Sequence, residues 1–258
     1  MAADRSERYP RGRAGIFGQV ADEYERSRPG YPPQAVTWLV GPTPRRVLDV
    51  GAGTGKLTRA LVAAGHDVVA VDPSEPMLET LRDGLPGIDA RTGSAEALPL
   101  ADADVDVVVA AQAFHWFDQD RALPEIARVL RPGGRLGLVW NLRDETVPWV
   151  AELSRVIGSK DAFPEDVVGN RFTARTRSGP VEVATFSHTQ RLDREGLLAL
   201  VRSRSYVAER PVGQRDLILA EVDRLYRRHA ADGSLVLPYV TQCYRCEVRQ
   251  PSARPARG

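Results

Sequence analysis

Lysine is nearly missing from this chain: only Lys56 and Lys160 stand among 35 basic residues in 258, so arginine carries the positive charge. Neither sign dominates. With 34 acidic residues the formal net charge is +1, and no global field draws the chain to nucleic acid or to an anionic membrane. No run of about 18 apolar residues exists to span a bilayer, and the first residues lack the apolar core of about 7–15 residues that a secretion signal carries. A cytosolic protein is expected, with no membrane or nucleic-acid partner. Cysteine is equally scarce. Cys243 and Cys246 form a single Cys-x-x-Cys within Leu237 to Val248, which reads as a strand, where odd spacing sets them on opposite faces. No second pair completes four ligands, so no metal is expected and both are read as structural.

What the chain does have is 43% hydrophobic residues, ample for a sizeable core in one large α/β domain. Its organising stretch runs from Val47 to Leu61. Val47-Leu48-Asp49-Val50 is an apolar strand, Gly51, Gly53 and Gly55 alternate with Ala52 and Thr54, and an apolar-periodic helix follows. Glycines there allow positive φ and close ligand approach, while the helix start presents free N–H groups. Three readings compete. A P-loop counted back from Gly55-Lys56 needs Gly at 50 and Ser or Thr at 57, where Val50 and Leu57 stand. A dinucleotide fingerprint wants a third glycine at 56, which is Lys56, so the NAD reading is weakened and not excluded. The third reading uses Asp49, an acid at the end of a buried strand. It must accept hydrogen bonds from the loop amides or from a ligand's ammonium.

Val47 to Leu61 resembles the first motif of the class I S-adenosylmethionine-dependent methyltransferases, and four later stretches match in order. They are Val69-Ala70-Val71-Asp72, Gly93 to Pro99, Val105 to Asp118, and Leu130 to Leu136. The resemblance spans residues 16–248 and points to the small-molecule group similar to trans-aconitate methyltransferase. It implies a doubly wound, Rossmann-like sheet of seven mostly parallel strands, the last antiparallel, with helices on both faces. The cofactor would be S-adenosylmethionine, with Gly51 to Gly55 as its loop.

Residues 1–15, with four arginines among Gly and Pro, read as a disordered arm, and 249–258 as a disordered tail. Between them a single domain is expected: lid helices over 16–44, a cofactor core over 45–141, and substrate-side helices with the last two strands over 142–248. Phe17, Val20 and Tyr24 recur at helical spacing before Arg28-Pro29-Gly30. By the resemblance this region closes over the cofactor, with Arg28 or Tyr31 holding its carboxylate, as suits a guanidinium fork. The plain alternative is a packing helix. A second helix is expected over Gln34 to Val40.

Asp67 to Val71 reads as a strand buried on both faces and ends in Asp72, placed to grip a ribose diol. Capping of the next helix, Glu75 to Leu85, falls to Ser74. The resemblance adds Pro73 and Met77 to the cofactor site. Around Ser94 many family members carry Asp against the adenine amino group; here the Ser94 hydroxyl, the Ala95 N–H and Glu96 are the candidates. After the strand Val105 to Ala110 comes Ala111-Gln112-Ala113-Phe114-His115-Trp116. In an open parallel sheet this loop borders the ligand. The resemblance gives Gln112 a backbone contact to the methionine portion, and His115 and Trp116 can line the acceptor pocket, with His115 a candidate general base. Alternatively the two rings pack under the loop. A helix from Leu123 to Leu130, a stop at Arg131-Pro132-Gly133-Gly134 and a strand from Arg135 to Trp140 complete the nucleotide half.

Beyond it, helices around Pro148 to Ile157, Asp193 to Ser203 and Gly213 to His229 are expected, with strands Val181 to Leu192 and Leu237 to Val248. Arg143, Arg204 and Tyr206 are candidate substrate contacts, though surface or packing roles suit each. The expected reaction is transfer of a methyl group to a small molecule, O-methylation of a carboxylate or hydroxyl, by in-line displacement that needs chiefly alignment. The competing classes are an NAD-linked oxidoreductase and a cofactor-binding protein without catalysis. A monomer or homodimer is expected.

Overall fold

The computed structural model describes residues 28–158 and 179–248. The expected N-terminal arm, the helix expected through Phe17, Val20 and Tyr24, and the expected C-terminal tail lie outside the described residues.

Seven strands form one sheet. They are β1 (Arg46–Val50), β2 (Asp67–Asp72), β3 (Asp89–Thr92), β4 (Val105–Ala111), β5 (Leu130–Arg143), β6 (Glu182–Leu192) and β7 (Leu235–Glu247), in the order β3-β2-β1-β4-β5-β7-β6. All pairings among the first five are parallel, and β7 runs antiparallel to both neighbours. The central strands are apolar runs because helices cover both their faces. Leu48, Val50, Val69 and Val71 face α4 (Gln119–Val129) in one core. Val47, Val68, Val107 and Val109 face α1 (Pro33–Val40) and α2 (Lys56–Ala63) in another. Cys243 and Cys246 fall in these two cores, on opposite faces, buried and unbonded to each other. Burial pushes the Cys243 thiol up to about 12, so it is an inert packing group.

α3 (Glu75–Gly84) sets Leu78 and Leu81 against Ala70. At the sheet end where β5 finishes and β7 begins, α5 (Pro148–Ile157), α6 (Arg194–Arg202), α7 (Ser205–Ala208) and α8 (Val212–His229) build a separate core. Leu153, Leu197, Val222 and Leu237 meet there. This helical cap stands over the carboxyl end of β5.

At the two ends of β5 the boundaries differ from the sequence reading. α4 ends at Val129, and Leu130 already pairs with Val105, so Arg131–Gly134 is an irregularity inside β5, not a stop before it. Gly133 takes φ +77° there. At its other end β5 runs on to Arg143 because β7 pairs with it residue for residue as far as Tyr239.

Candidate active site

β1 turns the Asp49 side chain onto the face beneath α2, where the residue is fully buried. Its Oδ2 accepts a hydrogen bond of 2.7 Å from the Thr58 hydroxyl of α2, while Oδ1 has no hydrogen-bond partner. The loop amides expected to serve Asp49 do not. Gly51 and Ala52 donate to the Val71 carbonyl at 2.8 and 3.1 Å, Gly55 donates to the Ala52 carbonyl at 2.9 Å, and Gly53 donates to Asp72 at 2.9 Å. Positive φ at Gly51, Gly53 and Gly55 (+72°, +54° and +86°) curls the loop over the end of β2, turning these N–H groups from Asp49. Burial pushes the Asp49 carboxyl up to about 7; the Thr58 hydrogen bond opposes the rise and the neighbouring Asp72 charge adds to it.

Asp72 closes β2 with both oxygens engaged, Oδ2 by Gly53 N–H and Oδ1 by Ser74 N–H at 2.8 Å. Burial raises its pKa while those two backbone donors hold it down. Each oxygen keeps a lone pair for a further donor. Ser74 occupies the N-cap position of α3, yet its hydroxyl makes no capping bond and lies buried without a partner. That corrects the capping role: the Asx-type turn at Asp72 aims the Ser74 hydroxyl inward. Pro73 lies inside this turn, and Met77 is buried on the first turn of α3. The Gly93 N–H bonds the Asp72 carbonyl at 3.2 Å, which brings the Ser94–Ala97 turn beside the same strand end. Ala95 is buried there, and Glu96 accepts from the Asp118 N–H at 2.9 Å, tying the turn to the start of α4.

A cleft open to solvent lies at the carboxyl ends of β1 and β4, where the strand order reverses. Gly51, Ala52, Gly53 and Thr54 form its floor, and a Cβ added at Gly53 would meet nothing within 4 Å. Gln112 walls it with φ +55°, a conformation uncommon outside glycine. Its N–H bonds the Val139 carbonyl at 3.0 Å and its side chain the Asn141 carbonyl at 3.1 Å. Arg28 and Tyr31 close the side toward α1. The Arg28 guanidinium donates to the Ser203 hydroxyl and carbonyl at 3.2 and 3.1 Å, which links this segment to the helical cap.

Two further lining residues are Arg204 and Asn141, and the sequence reading gave Asn141 no role. Its only local signal was a position at the end of the fifth strand. Of the candidate substrate contacts, Arg204 lines the cleft, whereas Arg143 is buried and donates to the Ser154 hydroxyl at 3.0 Å. Tyr206 packs against the cap core, its hydroxyl buried without a hydrogen bond. The structure does not bring His115 and Trp116 to the cleft. Both are exposed on a 3-10 turn, their ring centroids 4.9 Å apart, because Phe114 takes the buried position beneath the turn. Among the described residues no cluster of acids, histidines and cysteines can hold a metal ion, and no helix is long and apolar enough to cross a membrane.

The strand order, the glycine loop and an acid at the end of β2 define an α/β enzyme of the nucleotide-cofactor type. The methyltransferase domain family matches residues 48–138. Over 232 residues the chain is 50% identical to an uncharacterized methyltransferase of Mycobacterium tuberculosis, covering 89% of this chain and 94% of that one. The chain therefore belongs to the class I S-adenosylmethionine-dependent methyltransferases, which sets aside the NAD-linked and non-catalytic readings. Among solved structures it resembles a putative type II methyltransferase from Anaeromyxobacter dehalogenans, with a TM-score of 0.61 and 27% identity, covering 87% of this chain and 99% of that one. A shorter similarity, 50% identity over 103 residues and 38% of each chain, links it to the malonyl-[acyl-carrier protein] O-methyltransferase of Methylococcus capsulatus.

Proposed function

We propose that this enzyme binds S-adenosylmethionine over the Gly51–Gly55 loop and methylates an oxygen of a small molecule, a carboxylate in preference to a hydroxyl. The observation that carries the cofactor site is the buried, unpartnered Oδ1 of Asp49 beneath the loop. An unpaired buried carboxylate oxygen is costly, and the ammonium of the cofactor's methionine portion would satisfy it. Asp72, with a lone pair left on each oxygen, would accept from the ribose hydroxyls, with Pro73 and Met77 flanking it. Ser94 and Ala95 would meet the adenine. Glu96 is already engaged with Asp118 and serves to hold that turn. Arg28 or Tyr31 would take the cofactor's carboxylate, and Gln112 would border the methionine portion.

When bound, the cofactor supplies a methyl group on a sulfonium that carries its own leaving group. What remains for the chain is to align the acceptor and exclude water. Among the described residues lining the cleft there is neither histidine nor carboxylate, while Arg204 brings a guanidinium group to it beyond the one placed against the cofactor. A carboxylate acceptor is already ionised at neutral pH and needs no base, and guanidinium groups match its geometry. The partial similarity to the malonyl-[acyl-carrier protein] O-methyltransferase is in keeping with transfer to an oxygen.

Calorimetric titration with S-adenosylhomocysteine, with NAD as control, tests the site. The wild type is expected to bind the first at micromolar concentration and not the second. Asp72→Ala should bind about 100-fold more weakly, the effect of losing hydrogen bonds to a charged acceptor. Preference for NAD, or unchanged binding by the variant, would refute the site. Turnover with small carboxylic acids against alcohols then settles the acceptor class.

A further inference from the structure

A chain of hydrogen bonds leaves the cleft through Asn141 and crosses two strands. The Asn141 Nδ2 donates to the Gly30 carbonyl at 2.9 Å, the Thr241 hydroxyl meets Asn141 Oδ1 at 2.6 Å, and His188 Nδ1 lies 3.1 Å from the same hydroxyl oxygen. Asn141 and Thr241 are directly paired on β5 and β7, and His188 lies on β6 opposite Tyr239. The imidazole stacks on the Tyr239 ring at 5.3 Å and 20°. Asn141 is 6% exposed and Thr241 fully buried, so water does not take over these bonds.

Every donor direction in this chain follows from its first member. A backbone carbonyl only accepts, so the Asn141 amide must point its nitrogen at Gly30 and its oxygen at Thr241. That oxygen takes the single hydroxyl hydrogen of Thr241. The Thr241 oxygen can then only accept from His188, which must carry its hydrogen on Nδ1. This is the tautomer that free imidazole side chains disfavour in water. It leaves Nε2 as a bare acceptor, and that atom is indeed buried without a partner. An orphaned acceptor is tolerated better than an orphaned N–H, so the Nδ1–H form is the consistent one. Burial also holds the imidazole pKa down.

We propose that His188 is a positioning residue: through Thr241 and Asn141 it fixes the Gly30 carbonyl, and with it the Arg28–Tyr31 wall of the cofactor cleft. The role rests on the cofactor reading above, since Arg28 and Tyr31 are the residues placed against the cofactor's carboxylate. Arg28 is tied to the cap through Ser203, while Gly30 is tied to the sheet through Asn141. Without the His188 donor, the Thr241 oxygen is left without its donor and the hydroxyl is held by Asn141 alone, so the chain that ends on the Gly30 carbonyl is less firmly anchored.

The test has two parts. Nitrogen-15 NMR of the histidine-labelled wild type should find His188 neutral near pH 7.5 with its hydrogen on Nδ1; an Nε2–H tautomer or an imidazolium would overturn the proposal. Titration with S-adenosylhomocysteine should then show His188→Leu binding about five- to tenfold more weakly. His188→Asn, whose amide nitrogen can stand where Nδ1 stood, should come within about twofold of the wild type. Rescue by Asn separates donation to Thr241 from the packing of a ring on Tyr239, which both variants lose. Wild-type binding in His188→Leu overturns the positioning role alone. A wild type that carries the Nδ1–H tautomer yet binds no S-adenosylhomocysteine overturns the cofactor reading, and the positioning role with it.

Discussion

Polar side chains behind the two sides of the cleft, of which Asn141 alone lines it, have opposite habits. On the β1–β2 side they are acids with capacity to spare: Asp49 has an empty oxygen, and Asp72 holds one backbone donor on each oxygen. On the β5–β7–β6 side they are neutral, and Asn141, Thr241 and His188 bond one another in sequence, with the bare Nε2 of His188 at the far end. Buried acids with spare acceptors are costly in the absence of a ligand, whereas a chain of neutral hydrogen bonds rigidifies whatever it touches. The first side is therefore built for recognition and the second for support. Both sit on the sheet face that α1 and α2 cover, so the cleft joins a reactive wall to a fixed one.

The largest effect on this contrast should come from filling the floor of the acidic side. Gly51 has φ +72°, and a Cβ built there would come within 2.6 Å of the Ala113 Cβ, an atom that cannot move without its backbone. Gly51→Ala thus combines a left-handed alanine with overpacking, together about 3 kcal/mol. Urea denaturation should show that loss, and binding of S-adenosylhomocysteine should vanish with the displaced loop. The same change at Gly53, which has open space on its Cβ side but φ +54°, should cost only the left-handed alanine, about 1–2 kcal/mol, without the overpacking.

Next in size is the titration of Asp49. Its pKa in the folded protein is raised from an ordinary 3.8 to about 7, chiefly by burial. The folded chain thus holds the proton more tightly than the unfolded one. Stability that Asp49 contributes is fully present below pH 3.8 and is lost as pH rises to about 7. Ligand binding should run the other way. An ammonium favours the ionised carboxylate, so affinity for S-adenosylhomocysteine should rise by up to about tenfold per pH unit and level off above pH 7. Asp49→Asn should flatten both profiles, being more stable than the wild type at pH 8 while binding less tightly there. A wild-type affinity independent of pH between 5 and 8 would mean that Asp49 does not meet the ammonium.

The two sides also differ in how far the sequence reveals them. Val47 to Asp72 is one continuous strand, loop, helix and strand, and its glycines and terminal acids carry their meaning in local spacing. Even there, the partner of Asp49 came from Thr58 on α2, because the curl of the loop depends on where β2 ends. Asn141 lies 100 residues from Thr241, and Thr241 lies 53 from His188. Nothing in their local pattern joins them. Only the antiparallel register of β7 against β5 and β6 does so, and that register is set by the whole sheet. Three of the four cap helices were legible in the sequence and the short α7 was not, and Arg204 as the residue facing the cleft, and Arg143 as one that does not, depended on how that cap docks.

His115 should give the smallest effect, and for that reason it separates the acceptor classes. The residue is exposed beside Trp116 and does not line the cleft. His115→Ala should leave affinity for S-adenosylhomocysteine, and turnover of a carboxylic acid, within about twofold of the wild type. A positioned general base contributes about 10²–10⁴-fold, so a fall on that scale would mean that the 3-10 turn folds over the acceptor during turnover and that the acceptor is a hydroxyl. If the rate is instead indifferent to His115, the acceptor arrives already ionised. The guanidinium group of Arg204 then accounts for its recognition without any proton transfer by the chain.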